Sequence, residues 1–158
     1  MMCEHRSLAP PQLMDELYRR KLPHWRSEGA TYFVTWRLAS EQSRLAPPER
    51  DLVAAAVRAF DGQRYRLAAW VVMDDHVHIL LTPLGTWRLQ SILHSWKSFT
   101  ANQMQRAHSR AGRVWQDESF DRIVRDEDEL EQKFNYILGN PWRRWPSLDG
   151  YAWVWPSD

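Results

Sequence analysis

The chain has 158 residues, 44% hydrophobic and 26% charged, which suits one domain with one core and leaves no apolar run long enough to span a bilayer. The opening MMCEHRSLAPPQ lacks the apolar centre of a secretion signal, and the single cysteine, Cys3, excludes a disulfide framework or a thiolate metal site, so a cytoplasmic protein is expected. Net charge is only +1, but residues 85–125 carry seven Lys/Arg against three acids, directly before the acidic block Asp126, Glu127, Asp128, Glu129 and Glu131.

In chain order, residues 1–29 read as an extended arm with a basic cluster (Arg19, Arg20, Lys21, Arg26) and a short helix over 14–21. Residues 30–39 (ATYFVTWRLA) are β-branched and aromatic and predict a strand. Pro47 and Pro48 then open a helix to about residue 60, since proline is tolerated in a first turn. Residues 66–73 and 76–82 predict two strands joined by a tight turn at Asp74-Asp75, an antiparallel hairpin. A long amphipathic helix follows over 86–107, with Leu89, Ile92, Leu93, Trp96 and Phe99 as its apolar stripe. Residues 119–125 predict a fourth strand. The last helix starts after an Asp126 N-cap, carries acids in its first turn, and ends at Gly139-Asn140-Pro141.

The order strand, helix, strand, strand, helix, strand, helix predicts an α+β fold. It is a ferredoxin-like antiparallel sheet of the split βαβ type, with helices packed on one face and a further C-terminal helix bearing a tyrosine. The expected division is an arm at 1–29, a catalytic domain at 30–140 and a Trp-rich irregular tail at 141–158. Ten tryptophans supply both core volume and faces on which unpaired bases can stack.

Two features carry chemistry. In His76-Val77-His78 the strand period puts both imidazoles on one face and sends Val77, Ile79 and Leu81 to the other. Two neutral imidazoles so placed can chelate one divalent metal, and they can equally form a hydrogen-bonded or surface pair. Other HxH chemistries fit less well. Histidine-triad hydrolases need a third histidine where Leu80 stands, a TIM barrel needs ~250 residues, and the HExxH of zinc peptidases is absent. Second, Tyr136 and Asn140 lie one turn apart on one face of the last helix. A phenol can attack phosphorus, and an amide oxygen can join a metal's ligands, but an amphipathic helix can also use such a tyrosine for its core.

The two features in combination resemble the single-tyrosine HUH transposases, and in particular the REP-associated tyrosine transposases of bacteria. The resemblance covers residues 22–145 through five blocks in order: LPHWRSEGATYFVTWRL (22–38), VVMDDHVHILLTP (71–83), HSWKSFTA (94–101), VWQDESFDRIVRDEDELE (114–131) and NYILGNP (135–141). It implies His76 and His78 as metal ligands, Asn140 as a third, polar ligand, and Tyr136 as the nucleophile. It also implies a substrate of single-stranded DNA carrying a hairpin, cleaved to a 5′-phosphotyrosine, and a monomer or homodimer. Phosphoryl chemistry favours Mg²⁺ or Mn²⁺ as the cofactor. Tyr18, Tyr32, Tyr65 and Tyr151 lie in strands or terminal segments and are poorer nucleophile candidates. Lys97, Arg122 and Arg125, from the basic stretch, are the candidate phosphate contacts.

Two departures from that family stand out. Asp74-Asp75 replaces the usual proline–asparagine before the first histidine, and Trp142-Arg143-Arg144-Trp145 follows the Asn-Pro pair where small or aliphatic residues are usual. A DNA-binding protein of this descent that does not cleave is the main competing reading, and an unrelated metal hydrolase a second.

Overall fold

The computed structural model describes residues 29–156. The expected N-terminal arm, its helix over 14–21 and its basic cluster lie outside the described residues, apart from Gly29. Strands β1 (Tyr32–Leu38), β2 (Tyr65–Val72), β3 (His76–Pro83), β4 (Trp115–Ile123) and β5 (Val154–Trp155) alternate with helices α1 (Pro47–Arg58), α2 (Leu89–Ala107) and α3 (Glu127–Arg144). All strand pairs are antiparallel, in the order β4-β1-β3-β2-β5. The first four strands, with α1 and α2, make the expected ferredoxin-like arrangement.

Alternation along the strands gives the sheet two apolar faces. Val34, Trp36, Trp70, Val72, Val77, Ile79 and Leu81 meet α1 and α2 on one side. Phe33, Val71, Met73 and Leu80 meet α3 on the other. Both sides of β3 are therefore covered, which is why HVHILLT is buried at nearly every position, His78 and Thr82 included. Leu130, Phe134, Ile137 and Leu138 of α3 are fully buried, and each such side chain contributes roughly 1.5–3 kcal/mol relative to exposure.

Four expectations need correction. Phe99 is exposed, and the α2 stripe instead runs on by i+4 steps through Thr100 and Met104. Thr100 is drawn inside because its hydroxyl accepts the buried Trp115 indole N–H at 2.9 Å. Strand β4 begins at Trp115, four residues early, and joins β1 through a register shift between Trp36 and Leu38. As an edge strand it buries only Trp115, so Gln116-Asp117-Glu118 gave no apolar signal.

Helix α3 does not stop at Gly139-Asn140-Pro141 but continues to Arg144, with Trp145 N–H donating to the Pro141 carbonyl at 2.7 Å. Proline in a helix costs about 3 kcal/mol, but the Leu130–Phe134–Leu138–Trp142 stripe stays buried across it and holds the last turn down. The segment after α3 is not wholly irregular. Val154 and Trp155 pair with Val71 and Trp70, and the Tyr151 hydroxyl donates to the Val72 carbonyl at 2.7 Å. Among the described residues no helix is long and apolar enough to cross a membrane.

Candidate functional site

The β2–β3 hairpin delivers the two histidines. Met73, Asp74 and Asp75 make the turn, closed by Met73 N–H donating to the His76 carbonyl at 2.8 Å. His76 and His78 then lie on the α3 face of β3, with ring centroids 4.6 Å apart. Each ring is held from behind through Nδ1. His76 Nδ1 lies 2.6 Å from Asp75 Oδ1, and His78 Nδ1 lies 2.6 Å from the Thr35 hydroxyl of β1. Thr35 reaches His78 because the two are paired across the strands. This pattern, one ring nitrogen tied to a partner, directs the other nitrogen forward and fixes its tautomer.

Helix α3 brings the remaining residues. His76 Nε2 is 3.3 Å from Asn140 Oδ1. Asn140 is buried, at 7% exposure, on the same helix face that carries Tyr136 one turn earlier. The Tyr136 ring stands edge-on to His78 at 5.3 Å and to Phe33 at 6.0 Å, yet is 42% exposed. It therefore sits at the mouth of the site and not in the core. The Arg143 guanidinium lies over the Tyr136 ring, 4.1 Å from its centroid, and also donates to the Tyr136 carbonyl.

The electrostatics are asymmetric. His78 is buried, which disfavours its charged form, and His76, Arg37, Arg143 and Lys133 repel a proton further, so its pKa falls to about 3. It is a neutral imidazole at any ordinary pH. Burial alone would raise Asp75, but the His76 hydrogen bond and the charges of His76, Arg144 and Arg44 bring it down to about 2. That carboxylate and Asp74 engage Arg44 and Arg144, with Arg144 Nη2 3.3 Å from Asp74 Oδ1. The acidic turn is thus tied to the start of the α1 approach and to the end of α3.

These residues fit a divalent cation. The donor set would be two imidazole nitrogens and the Asn140 oxygen, with Asp75 and Thr35 as the outer partners. Among the described residues no cluster of three or more His, Cys, Asp or Glu side chains could hold a metal, so an amide oxygen is the third protein donor on offer. Beside the histidines opens a groove of about 630 Å³, which Phe33, Arg37, His78, Phe120, Lys133 and Tyr136 help to line.

The structure brings His76, His78, Asn140 and Tyr136 together and separates them from the expected phosphate contacts. Lys97 lies on the opposite, α2 side of the sheet, where its ammonium donates to the Gln116 and Asp117 carbonyls and to Ser119 Oγ. Arg122 is on the α3 side but paired with Glu129 at 2.6 Å. Arg125 is exposed just beyond β4. The cations around the groove are instead Arg37, Lys133 and Arg143. Arg37 was recoverable from strand alternation, two positions from Thr35, while Lys133 and Arg143 required knowing how α3 docks.

The family model for IS200-like transposases matches residues 29–140. No protein of curated function matches the chain. Among solved structures, the chain is similar to a REP-associated tyrosine transposase bound to a REP hairpin, with TM-score 0.63 and 22% identity over 75% of this chain and 70% of that one. It is also similar to a putative transposase from Deinococcus radiodurans, with TM-score 0.52 and 23% identity over 68% of this chain and 87% of that one. Both likenesses are of fold. The family match spans β1 through most of α3, including His76, His78, Tyr136 and Asn140, and the chain therefore belongs to the IS200-like transposase family.

Proposed function

We propose that the protein cleaves and rejoins single-stranded DNA beside a hairpin through a covalent 5′-phosphotyrosine on Tyr136. The observation that carries this reading is the convergence of His76, His78 and Asn140 with an exposed tyrosine on one face of the sheet. Membership of a transposase family and the fold shared with a transposase bound to a REP hairpin support the choice of substrate.

His76, His78 and Asn140 would hold Mg²⁺ or Mn²⁺, which when bound supplies Lewis-acid polarisation of the scissile phosphate. The protein's own residues do the rest. The phenolic oxygen of Tyr136 attacks phosphorus, the new O–P bond forms as the P–O3′ bond breaks, and the phenolic proton is balanced by the proton gained at the 3′-oxygen. Arg143 over the ring favours the developing phenolate, and Arg37 and Lys133 hold the phosphate charge near His78. Asn140 and Tyr136 share one helix face, so the same docking that seats Asn140 against His76 positions the nucleophile. The phosphotyrosine conserves the phosphodiester energy, and a 3′-hydroxyl can reverse the step without ATP. Arg122 and Arg125 would contact phosphates beyond the groove, and Lys97 has no place in this path.

The test is incubation with a labelled hairpin oligonucleotide bearing single-stranded flanks, with Mg²⁺ or Mn²⁺, followed by a denaturing gel. A covalent adduct and a shortened strand are expected, and both should vanish with EDTA. Tight hairpin binding without any adduct would instead identify a DNA-binding protein that does not cleave.

A further inference from the structure

Phe120 is the most exposed large apolar side chain among the described residues, at 56%, and it is placed beside the nucleophile. It belongs to edge strand β4, where pairing with Thr35 puts it on the α3 face, the face of His78 and Tyr136. Its ring meets Phe33 edge-on at 6.4 Å, and Phe33 in turn stacks on His78 at 5.4 Å. Phe33 is buried and anchors this row, while Phe120 forms its outer end. Left mostly open to water on an edge strand, this ring adds little to the fold beyond its edge-on contact with Phe33, and the neighbouring positions Glu118, Asp121 and Arg122 are polar.

The groove that Phe120 helps to line also contains Arg37 and Lys133. Neither cation makes an ion pair among the described residues, and Lys133 sits over the Phe33 ring, 4.7 Å from its centroid. The groove has one acid in its lining, Glu118. An open aromatic face with cations beside it matches a nucleotide, with a flat apolar base and an anionic phosphate, better than it matches an apolar peptide or a small anion. Base–aromatic stacking tolerates any base, while the cations follow the backbone.

We infer that Phe120 is the stacking platform for one unpaired base of the single-stranded flank next to the scissile phosphate, with Arg37 and Lys133 on the adjoining phosphates. This rests on the proposed DNA substrate but not on cleavage. The stacked base holds the strand against the sheet, so the phosphate one step along is presented to Tyr136.

The experiment measures binding by fluorescence anisotropy in the Tyr136→Phe background, where no adduct can form. The probe is a labelled hairpin oligonucleotide with single-stranded flanks, and a series of the same oligonucleotide with one abasic site moved along the flank. Phe120→Ala should weaken binding on the order of tenfold, within the range that stacking on one side chain supplies, and Phe120→Trp should restore it. Because Phe120 is more than half exposed and meets the core only edge-on at Phe33, both variants should melt within a few degrees of the parent. At one abasic position the Phe120→Ala penalty should disappear, which a loss of folding cannot mimic. Equal affinity of Phe120→Ala and parent for every oligonucleotide would overturn the inference, as would a penalty that persists at all abasic positions. The adduct assay with unaltered Tyr136 reports separately. An adduct together with a Phe120-independent affinity rejects the platform and leaves the tyrosine mechanism standing, and the converse result does the opposite.

Discussion

His76 Nε2 and Asn140 Oδ1 lie 3.3 Å apart although 64 positions separate them in the chain. This contact joins the β2–β3 hairpin to helix α3. Tyr136 and Arg143 sit on the turns either side of Asn140, so the helix turn that brings Asn140 to His76 also brings them to the histidines. Asn140→Ala should therefore do two things. It should lower Mn²⁺ affinity about tenfold or more in isothermal titration, and it should leave urea unfolding of the metal-free protein within about 1 kcal/mol of the parent, because with Nδ1 donating to Asp75 the facing Nε2 and Oδ1 are both acceptors. Unchanged Mn²⁺ affinity would remove Asn140 from the ligand set.

Thr35 is the only described partner of His78 Nδ1. Thr35→Val keeps the shape and removes the hydroxyl, so the imidazole is free to choose the wrong tautomer. Metal affinity should fall about 10- to 100-fold, and stability by about 1–3 kcal/mol because the buried ring nitrogen loses its partner. Thr35→Ser should restore the metal affinity. A Val variant that binds Mn²⁺ as the parent does would show that the hydroxyl only fills space.

The sequence made the centre of this site legible and left its rim hidden, for definite physical reasons. His76 and His78 follow from the two-residue period of a strand, and the Tyr136–Asn140 pair follows from the helical turn. Both are local rules, and each holds wherever the element forms. The ferredoxin-like sheet with α1 and α2 on one face also follows from the element order, whereas the docking of α3 on the opposite face rests on Phe33, Val71, Met73 and Leu80, which no local rule assigns to a second core. Helix α3 overran its expected end because burial of Leu138 and Trp142 is a tertiary effect that outweighs proline's local cost. Strand β4 was half missed because an edge strand buries little. Thr35, Lys133, Arg143 and Phe120 come from three different elements, and nothing in their local sequence marks them. Lys97 was a plausible cation by charge density alone, yet it faces the other side of the sheet.

Stability of the metal-free protein should depend on pH through His78. The unfolded imidazole takes a proton near its ordinary value of 6.5, whereas burial and the neighbouring cations hold it to about 3 in the fold. Between these values the unfolded chain binds more protons. Stability should therefore be full above about pH 6.5 and fall steadily as the pH drops toward 3. Asp75 adds a lower limb, present above 3.8 and lost as the pH falls through about 2. Urea midpoints measured in EDTA should trace this slope, and His78→Gln should flatten the part above pH 4 while leaving the lower limb. The same slope in both proteins would contradict the assignment.

Arg143 both covers the Tyr136 ring and donates to its carbonyl. Arg143→Ala should slow adduct formation about 10- to 100-fold in single-turnover kinetics, as expected when a charge aimed at a developing anion is removed. Arg143→Lys should recover only part of the rate, because an ammonium lacks the planar face that lies on the ring. If both variants react at the parent rate, the guanidinium serves only to pin the last turn of α3.

The most direct measurement is mass spectrometry of the protein–DNA adduct after protease and nuclease digestion, in the parent and in Tyr136→Phe. One modified peptide is expected, from α3, carrying a 5′-linked nucleotide on Tyr136, and no adduct at all in a Tyr136→Phe protein that still folds and binds the hairpin. A nucleotide on Tyr32, Tyr65 or Tyr151, or an adduct that survives the Tyr136→Phe substitution, would contradict it.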